Sequence, residues 1–234
     1  MRIFCLCAFR NAADVLPDFL DHLRGHVDGV ILLDDGSTDD GYKICEAHPT
    51  VTGLITDKQV VEHAPHARET ENRELLLREA YKRGADWVLC MDADERVEKN
   101  MLREMRALLD KVPQCGAVSV KVCDLWNDLG HYRTDARWAG KRKEILFWIQ
   151  PFSSYWPKGS LHCRWRPPEI HAPVFDSFYN LYHLGSLTKE LRAARVEKFL
   201  EIDSNPPRFQ EDYNYLADET GLKLEKIPEG RGWK

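Results

Sequence analysis

No stretch of this 234-residue chain approaches the ~18 consecutive apolar residues that a membrane-crossing helix needs, so no transmembrane segment is expected. The lead from Met1 to Cys7 is too short for a signal peptide, because Arg10 and Asn11 follow at once; it reads as the strand that begins the fold. No CxxC pair occurs among the seven cysteines, which speaks against a zinc site of the usual spacing. The odd count, with Cys5, Cys7, Cys90 and Cys123 inside apolar runs, reads as reduced thiols serving as small core residues in a cytoplasmic protein. An excess of positive charge is also absent: 33 Lys and Arg stand against 38 Asp and Glu, a net of −5. That balance argues against nucleic acid as a partner bound through bulk charge. Internal repeats, low-complexity tracts and a clear linker are missing as well. What is present is 43% hydrophobic and 30% charged residues, enough apolar matter for a packed core. The expectation is one domain over 1–234, in two halves of different character, 1–112 and 113–234.

The first half alternates strand and helix. Ile3 to Ala8 is a short apolar run. Asn11 is a candidate N-cap for a helix whose apolar face is Val15, Leu16, Phe19, Leu20 and Leu23. Gly29 to Leu33 is a second buried strand, stopped by Asp34-Asp35-Gly36, and Ser37 can cap a short helix ended by Pro49. Leu54 to Thr56 is a weak strand. A charged helix runs from about Arg68 to Arg83, with Gly84 suited to its C′ position. Trp87 to Met91 is the next buried strand, and Met101, Leu102, Met105, Leu108 and Leu109 mark another helix. Strands joined by helices in this way predict an α/β fold with a mainly parallel sheet flanked by helices. In such sheets ligands sit beyond the carboxyl ends of the strands, where the polar clusters Arg10-Asn11, Asp34 to Asp39 and Asp92 to Glu95 fall.

The second half is β-rich and irregular, with runs at Ala117–Val122 and Glu144–Ile149. Between 121 and 170, nine basic residues face five acidic ones, and five of the seven tryptophans lie between Trp126 and Trp165. Most of these rings read as core fillers, with one or two left to line a groove. Arg133, Arg137, Lys141, Arg142 and Lys143 read first as a solvated face and second as a contact for an anionic acceptor. Thr188 to Ile202 reads as a helix with Leu191, Ala194, Phe199 and Leu200 inward, and Tyr213 and Leu216 suggest a last short helix.

Two motifs carry chemistry. Asp92-Ala93-Asp94-Glu95 puts carboxylates at i and i+2 on a turn, where they can share one hard cation and leave sites open for phosphate oxygens. Three acids so close repel unless a cation or partner is present. An acidic turn capping the next helix is the plain alternative, of equal weight. Asp34-Asp35-Gly36-Ser37 can accept hydrogen bonds from a base or from ribose hydroxyls, with Gly36 allowing the tight turn.

Taken together, Cys7 to Asn11, Val30 to Asp39, Asn72-Arg73-Glu74-Leu75-Leu76 and Gly84 to Glu95 resemble family 2 glycosyltransferases in order and spacing over nearly the first hundred residues. The resemblance implies an inverting, nucleotide-sugar-dependent enzyme of the GT-A type, a Rossmann-like fold with a smaller β-rich acceptor region. Residues 1–112 then form the nucleotide-sugar half, and 113–234 the acceptor half with C-terminal helices. Phe9, Arg10, Asn11, Asp34, Asp35 and Arg73 are implied to hold the nucleotide, and Asp92 and Ala93 the ribose or donor sugar. Asp94 is implied to bind Mn²⁺ or Mg²⁺. Leu181-Tyr182-His183-Leu184-Gly185 looks like the family's His-x-Gly step, which makes His183 a further metal ligand; a buried core histidine is nearly its equal. Gly159-Ser160-Leu161-His162-Cys163 resembles a Gly-x-Val-His-Glu segment, with Cys163 in place of Glu.

An inverting transfer needs a carboxylate to take the acceptor's proton; Glu169 ranks first and Asp135 second, followed by Asp176 and Asp212. The implied partners are a nucleotide-diphosphate sugar, a UDP-sugar foremost, and a carbohydrate or glycolipid acceptor, with peripheral membrane contact left open. The setting is bacterial-type polysaccharide, lipid-linked glycan or glycoconjugate synthesis. A nucleotidyltransferase is the second reading, weakened because no glycine follows the first strand. A non-catalytic sugar-nucleotide binder is the third.

Overall fold

The unbroken apolar runs become strands buried on both faces, as parallel strands covered by helices must be. In a computed structural model describing residues 1–56, 65–111, 116–150, 164–167, 173–202 and 213–234, β1 is Ile3–Phe9, β2 Gly29–Asp34, β3 Val51–Thr56 and β4 Trp87–Cys90. They pair in parallel in the order β3-β2-β1-β4. The sheet continues as β8-β6-β9-β5, where β5 is Glu95–Val97, β6 Ala117–Asp124, β8 Arg142–Trp148 and β9 Val174–His183. Here β8 runs antiparallel to both its neighbours, β9 runs parallel to β6, and β5 runs antiparallel to β9. A small second sheet pairs β7 (His131–Arg133) with β10 (Leu224–Lys226).

Helices α1 (Leu16–Leu23) and α4 (Lys99–Lys111) lie over one face of the sheet. They bury Leu16, Phe19, Leu20 and Leu23, and Met101, Leu102, Met105 and Leu109, against Ile3, Cys5, Cys7 and Leu89. Helix α3 (Pro65–Lys82) covers the other face through Leu76, Leu77 and Ala80, packed with Leu6, Ile31 and Val88. Helices α2 (Gly41–Ala47) and α5 (Lys189–Ile202) complete the set. Cys5, Cys7, Cys45, Cys90 and Cys123 are buried free thiols. Among the described residues, no helix is long and apolar enough to cross a membrane.

Several local expectations are corrected. Asn11 is no helix cap: α1 starts after Val15, and Asn11 sits in the left-handed region at φ 49°. Ser37 does not cap α2, whose N-cap is Asp40; its hydroxyl accepts from the Asn11 amide. In α5, Leu191 and Leu200 are 42% and 51% exposed and Ala194 is exposed as well, Phe199 packs inward as expected beside Val196, and the fully buried side chain is Arg192. Its guanidinium lies 4.0 Å from the Trp126 ring centroid and 2.9 Å from Glu219. A buried arginine, stacked and paired, thus takes the place expected for leucine.

Helix α1 carries a titration that acts on stability. Burial, reinforced by the nearby Arg96 charge, pushes His22 down to about 4, and among the described residues its Nε2 has no hydrogen-bond partner. The unfolded chain takes up this proton near its ordinary pKa of ~6.5. The neutral form therefore supports the fold above that pH, and stability falls as pH drops from ~6.5 towards 4, by roughly 3 kcal/mol at most. Urea unfolding at stepped pH should show this slope in the wild type and a flatter one in His22→Leu.

Candidate active site

The strand ends place the polar clusters together. After β1 and β2, the Asp35 amide donates to the Phe9 carbonyl at 2.8 Å. The Asn11 side-chain oxygen, Oδ1, accepts from the Thr38 amide at 2.8 Å, and Asp34 accepts from the Ser37 amide at 2.8 Å. Gly36 supplies the positive φ, 73°, that this turn requires. The two adjacent aspartates therefore divide their work. Asp34 is buried and shapes the turn, whereas Asp35 lines a cavity of about 1180 Å³. Arg68 of α3 forks onto Asp35, its Nε 3.2 Å from Oδ1 and its terminal nitrogen on Oδ2.

Phe9, Arg10, Asn11, Arg73 and Asp92 line the same cavity, with Asn72, Lys143, Glu144 and Trp165. Arg73 is held by Glu69 at 2.5 Å and lies 4.9 Å from the Trp165 ring centroid. Trp165 lines the cavity although it is buried in the core; Trp126 and Trp138 are core, as expected of most, Trp148 is half-exposed beside Trp87, and Trp156 lies outside the described residues. Ala93 is buried, with its carbonyl accepting from Arg96 at 2.8 Å.

Beyond β4, strand register builds the acidic centre. The β5–β9 pairing sets Glu95 opposite His183, and the β6–β9 pairing sets Asp124 opposite His183. His183 Nδ1 is 2.8 Å from Asp124 Oδ1, and its Nε2 is 3.2 Å from Asp94 Oδ2. Lys141 is 3.0 Å from the other Asp124 oxygen. Burial works against the charge on His183, but the two carboxylates outweigh it and raise the imidazole to about 10. Burial likewise raises Asp94, and the His183 charge and hydrogen bond overcome it, leaving the carboxyl well below its ordinary range. Asp92 and Glu95 meet Lys143, whose ammonium lies 2.8 Å from Asp92 Oδ2 and 2.7 Å from Glu95 Oε1. The repulsion expected among three crowded acids is thus met by two cations of the protein itself.

Asp94 and His183 suit a divalent cation. If a metal displaced the Nε2 proton that pairs His183 with Asp94, the Nδ1–H on Asp124 would keep Nε2 turned towards Asp94, the arrangement that commonly orients a metal-binding histidine. The space is reserved by Gly185: a Cβ there would stand 2.6 Å from Asp94 Oδ2 and 3.0 Å from His183 Nε2. This accounts physically for the His-x-Gly step. Among the described residues no cluster of three or more His, Cys, Asp or Glu is arranged for a metal, so a bound ion would complete its shell with phosphate oxygens and water.

Asp135 is not brought into this centre. Its carboxylate is buried and takes two hydrogen bonds from Arg133, at 2.8 and 2.9 Å, and one from the Lys223 amide at 3.0 Å. The Arg133 bonds hold it down at about 2, and it does not line the cavity. Glu169, His162 and Asp212 lie outside the described residues. Asp176 reaches the cavity wall, paired with Ser119 and Arg142. The basic run divides, since Arg137 and Arg142 are exposed and the others are not. Arg133 is buried, Lys141 and Lys143 neutralise acids, and Arg137 stacks on Tyr215 at 4.3 Å. Arg68 and Asp124 are site residues that sequence reasoning missed, and it offered Lys143 only within the basic run. The crowding of Asp92, Asp94 and Glu95 signalled that a cation was needed, but not which one.

The sequence profile described as Glycosyl transferase family 2 matches residues 5–161. Uncharacterised proteins of Mycobacterium tuberculosis and Mycobacterium bovis are each 33% identical over 130 residues, 55% of this chain but only 31% of theirs. The chain thus matches less than a third of the length of these curated relatives. The crystal structure of S. aureus TarS residues 1–349 superposes with a TM-score of 0.51 at 14% identity, covering 87% of this chain and 66% of that one. At that identity the likeness is one of fold, a curled, mainly parallel sheet flanked by helices of the GT-A type.

Proposed function

The chain belongs to glycosyltransferase family 2, and from that premise we propose that it moves a sugar, with inversion, from a nucleotide-diphosphate sugar to an acceptor hydroxyl. A UDP-sugar is the foremost donor. The observation that carries the reading is the single cavity shared by the Asp35 turn and Asp92; the Asp94–His183 pair starts two residues on from Asp92 and does not itself line it. Its volume, about 1180 Å³, exceeds the ~300–1,000 Å³ of ordinary ligand pockets and suits a donor together with part of an acceptor.

In this reading Asp35, kept in place by Arg68, accepts from the nucleoside. Phe9, Arg10, Asn11 and Arg73 surround it, and Arg10 and Arg73 bring positive charge towards the diphosphate. Asp92 reaches the ribose or donor sugar, beside Ala93. Asp94 and His183 would hold Mn²⁺ or Mg²⁺, which supplies charge stabilisation for a diphosphate leaving group. The acceptor oxygen attacks C1 as the C1–phosphate oxygen bond breaks, and a carboxylate takes the acceptor's proton. With Asp135 committed to Arg133, Glu169 keeps that assignment. The acceptor is a carbohydrate or glycolipid of bacterial-type polysaccharide, lipid-linked glycan or glycoconjugate synthesis. Buried thiols suit a reducing compartment, and the cytoplasm is the proposed place of work.

The test is release of nucleoside diphosphate from a panel of nucleotide sugars, with and without Mn²⁺, alongside UDP titration calorimetry. Asp35→Ala removes an acceptor whose loss costs ~1–3 kcal/mol, so UDP affinity should fall about tenfold or more. Equal affinity in the variant would place the base elsewhere.

A further inference from the structure

We propose that Lys143 is a positioning residue of the donor site: clamped between Asp92 and Glu95, its ammonium holds the Asp92 carboxylate turned into the cavity, towards the hydroxyls of the bound nucleotide. The inference rests on the donor reading above.

Backbone register prepares the contact. The antiparallel β4–β8 pairing ends at Leu89↔Leu146. Extending that register, Asp92, three residues after Leu89, comes opposite Lys143, three residues before Leu146. The Lys143 ammonium then lies 2.8 Å from Asp92 Oδ2 and 2.7 and 2.8 Å from the two Glu95 oxygens. Glu95 closes the clamp from behind, its Oε2 accepting from the Asp92 amide at 2.8 Å.

The two carboxylates differ in what they face. Glu95 is 5% exposed and does not line the cavity; Asp92 is 47% exposed and does. Glu95 alone would neutralise the lysine. The added bond to Asp92 occupies Oδ2 and leaves Oδ1, which has no hydrogen-bond partner among the described residues, on the open side. A carboxylate with one oxygen anchored has lost most of its rotational freedom before a ligand arrives, which is how preorganisation raises affinity.

The experiment separates positioning from charge balance. Lys143→Met alone strands a buried Glu95 carboxylate and should lower the melting temperature. Glu95→Gln with Lys143→Met removes both charges and should recover most of that loss. UDP affinity, measured by calorimetry with Mg²⁺, should still fall tenfold or more in the pair. Adding Asp92→Ala to the pair should then weaken binding little further, because the lysine acts through Asp92. If the pair binds UDP within twofold of the wild type, or if Asp92→Ala costs as much in the pair as in the wild type, the proposal is overturned. Should the pair not fold, Lys143→Arg carries the comparison. It keeps the charge but replaces a compact ammonium with a wide planar fork, so a folded variant with undiminished affinity also overturns it. A wild-type protein that binds no nucleoside diphosphate would overturn the donor reading first, and this proposal with it.

Discussion

Asp94→Asn is expected to lose transfer by ~10²–10³-fold, the usual cost of losing one preorganised electrostatic contact to developing negative charge, here that of the cation Asp94 would hold. The side chain keeps its size, and the backbone bond from the Leu184 amide to the Asp94 carbonyl, 2.8 Å, is untouched. The fold should therefore survive. What disappears is the negative charge facing His183 Nε2 at 3.2 Å. Two readouts are needed. Mn²⁺ titration should show binding weakened or gone, and release of UDP from the productive nucleotide sugar should fall in step. Unchanged Mn²⁺ affinity with unchanged turnover would remove Asp94 from the metal site. Loss of turnover with full Mn²⁺ affinity would instead give it a role in holding the donor.

Arg96→Met should produce the largest loss of stability, about 3–5 kcal/mol, the range found when a buried charged partner is removed. The side chain is fully buried. Its guanidinium donates to the carbonyls of Ala93 and Glu95 at 2.8 Å and of Val15 at 2.9 Å, and pairs with Asp18 at 2.7 Å. Asp18 is 58% exposed and can return to water, so its share of the cost is small. The stranded carbonyls cannot, and each unsatisfied buried acceptor costs ~1–3 kcal/mol. Two of those carbonyls belong to the Asp-Ala-Asp-Glu turn, so the variant should also bind Mn²⁺ and UDP more weakly than its remaining folded fraction accounts for. Urea unfolding of Arg96→Met beside Arg96→Lys measures the effect. A loss below about 1 kcal/mol would mean that water enters and satisfies the three carbonyls.

The sequence by itself determined the first half of the fold. Ile3–Phe9, Gly29–Asp34 and Trp87–Cys90 are buried on both faces, so they stand out as apolar runs, and the helices between them show their inward stripe every three or four residues. Both motifs, Asp34 to Ser37 and Asp92 to Glu95, were readable because each directly follows such a strand. The long strand Val174–His183 escaped because Asp176, Ser177 and Asn180 interrupt it. Only the tertiary structure decided that Asp34 builds the turn while Asp35 faces the cavity, and that Asp135 belongs to Arg133. It alone brought His183 between Asp94 and Asp124, and Lys143 onto Asp92 and Glu95. Periodicity is a local property, visible within about ten residues. Which charge meets which across the sheet depends on strand order and register between segments 50 to 90 positions apart, and a one-residue slip would turn every one of these side chains to the opposite face.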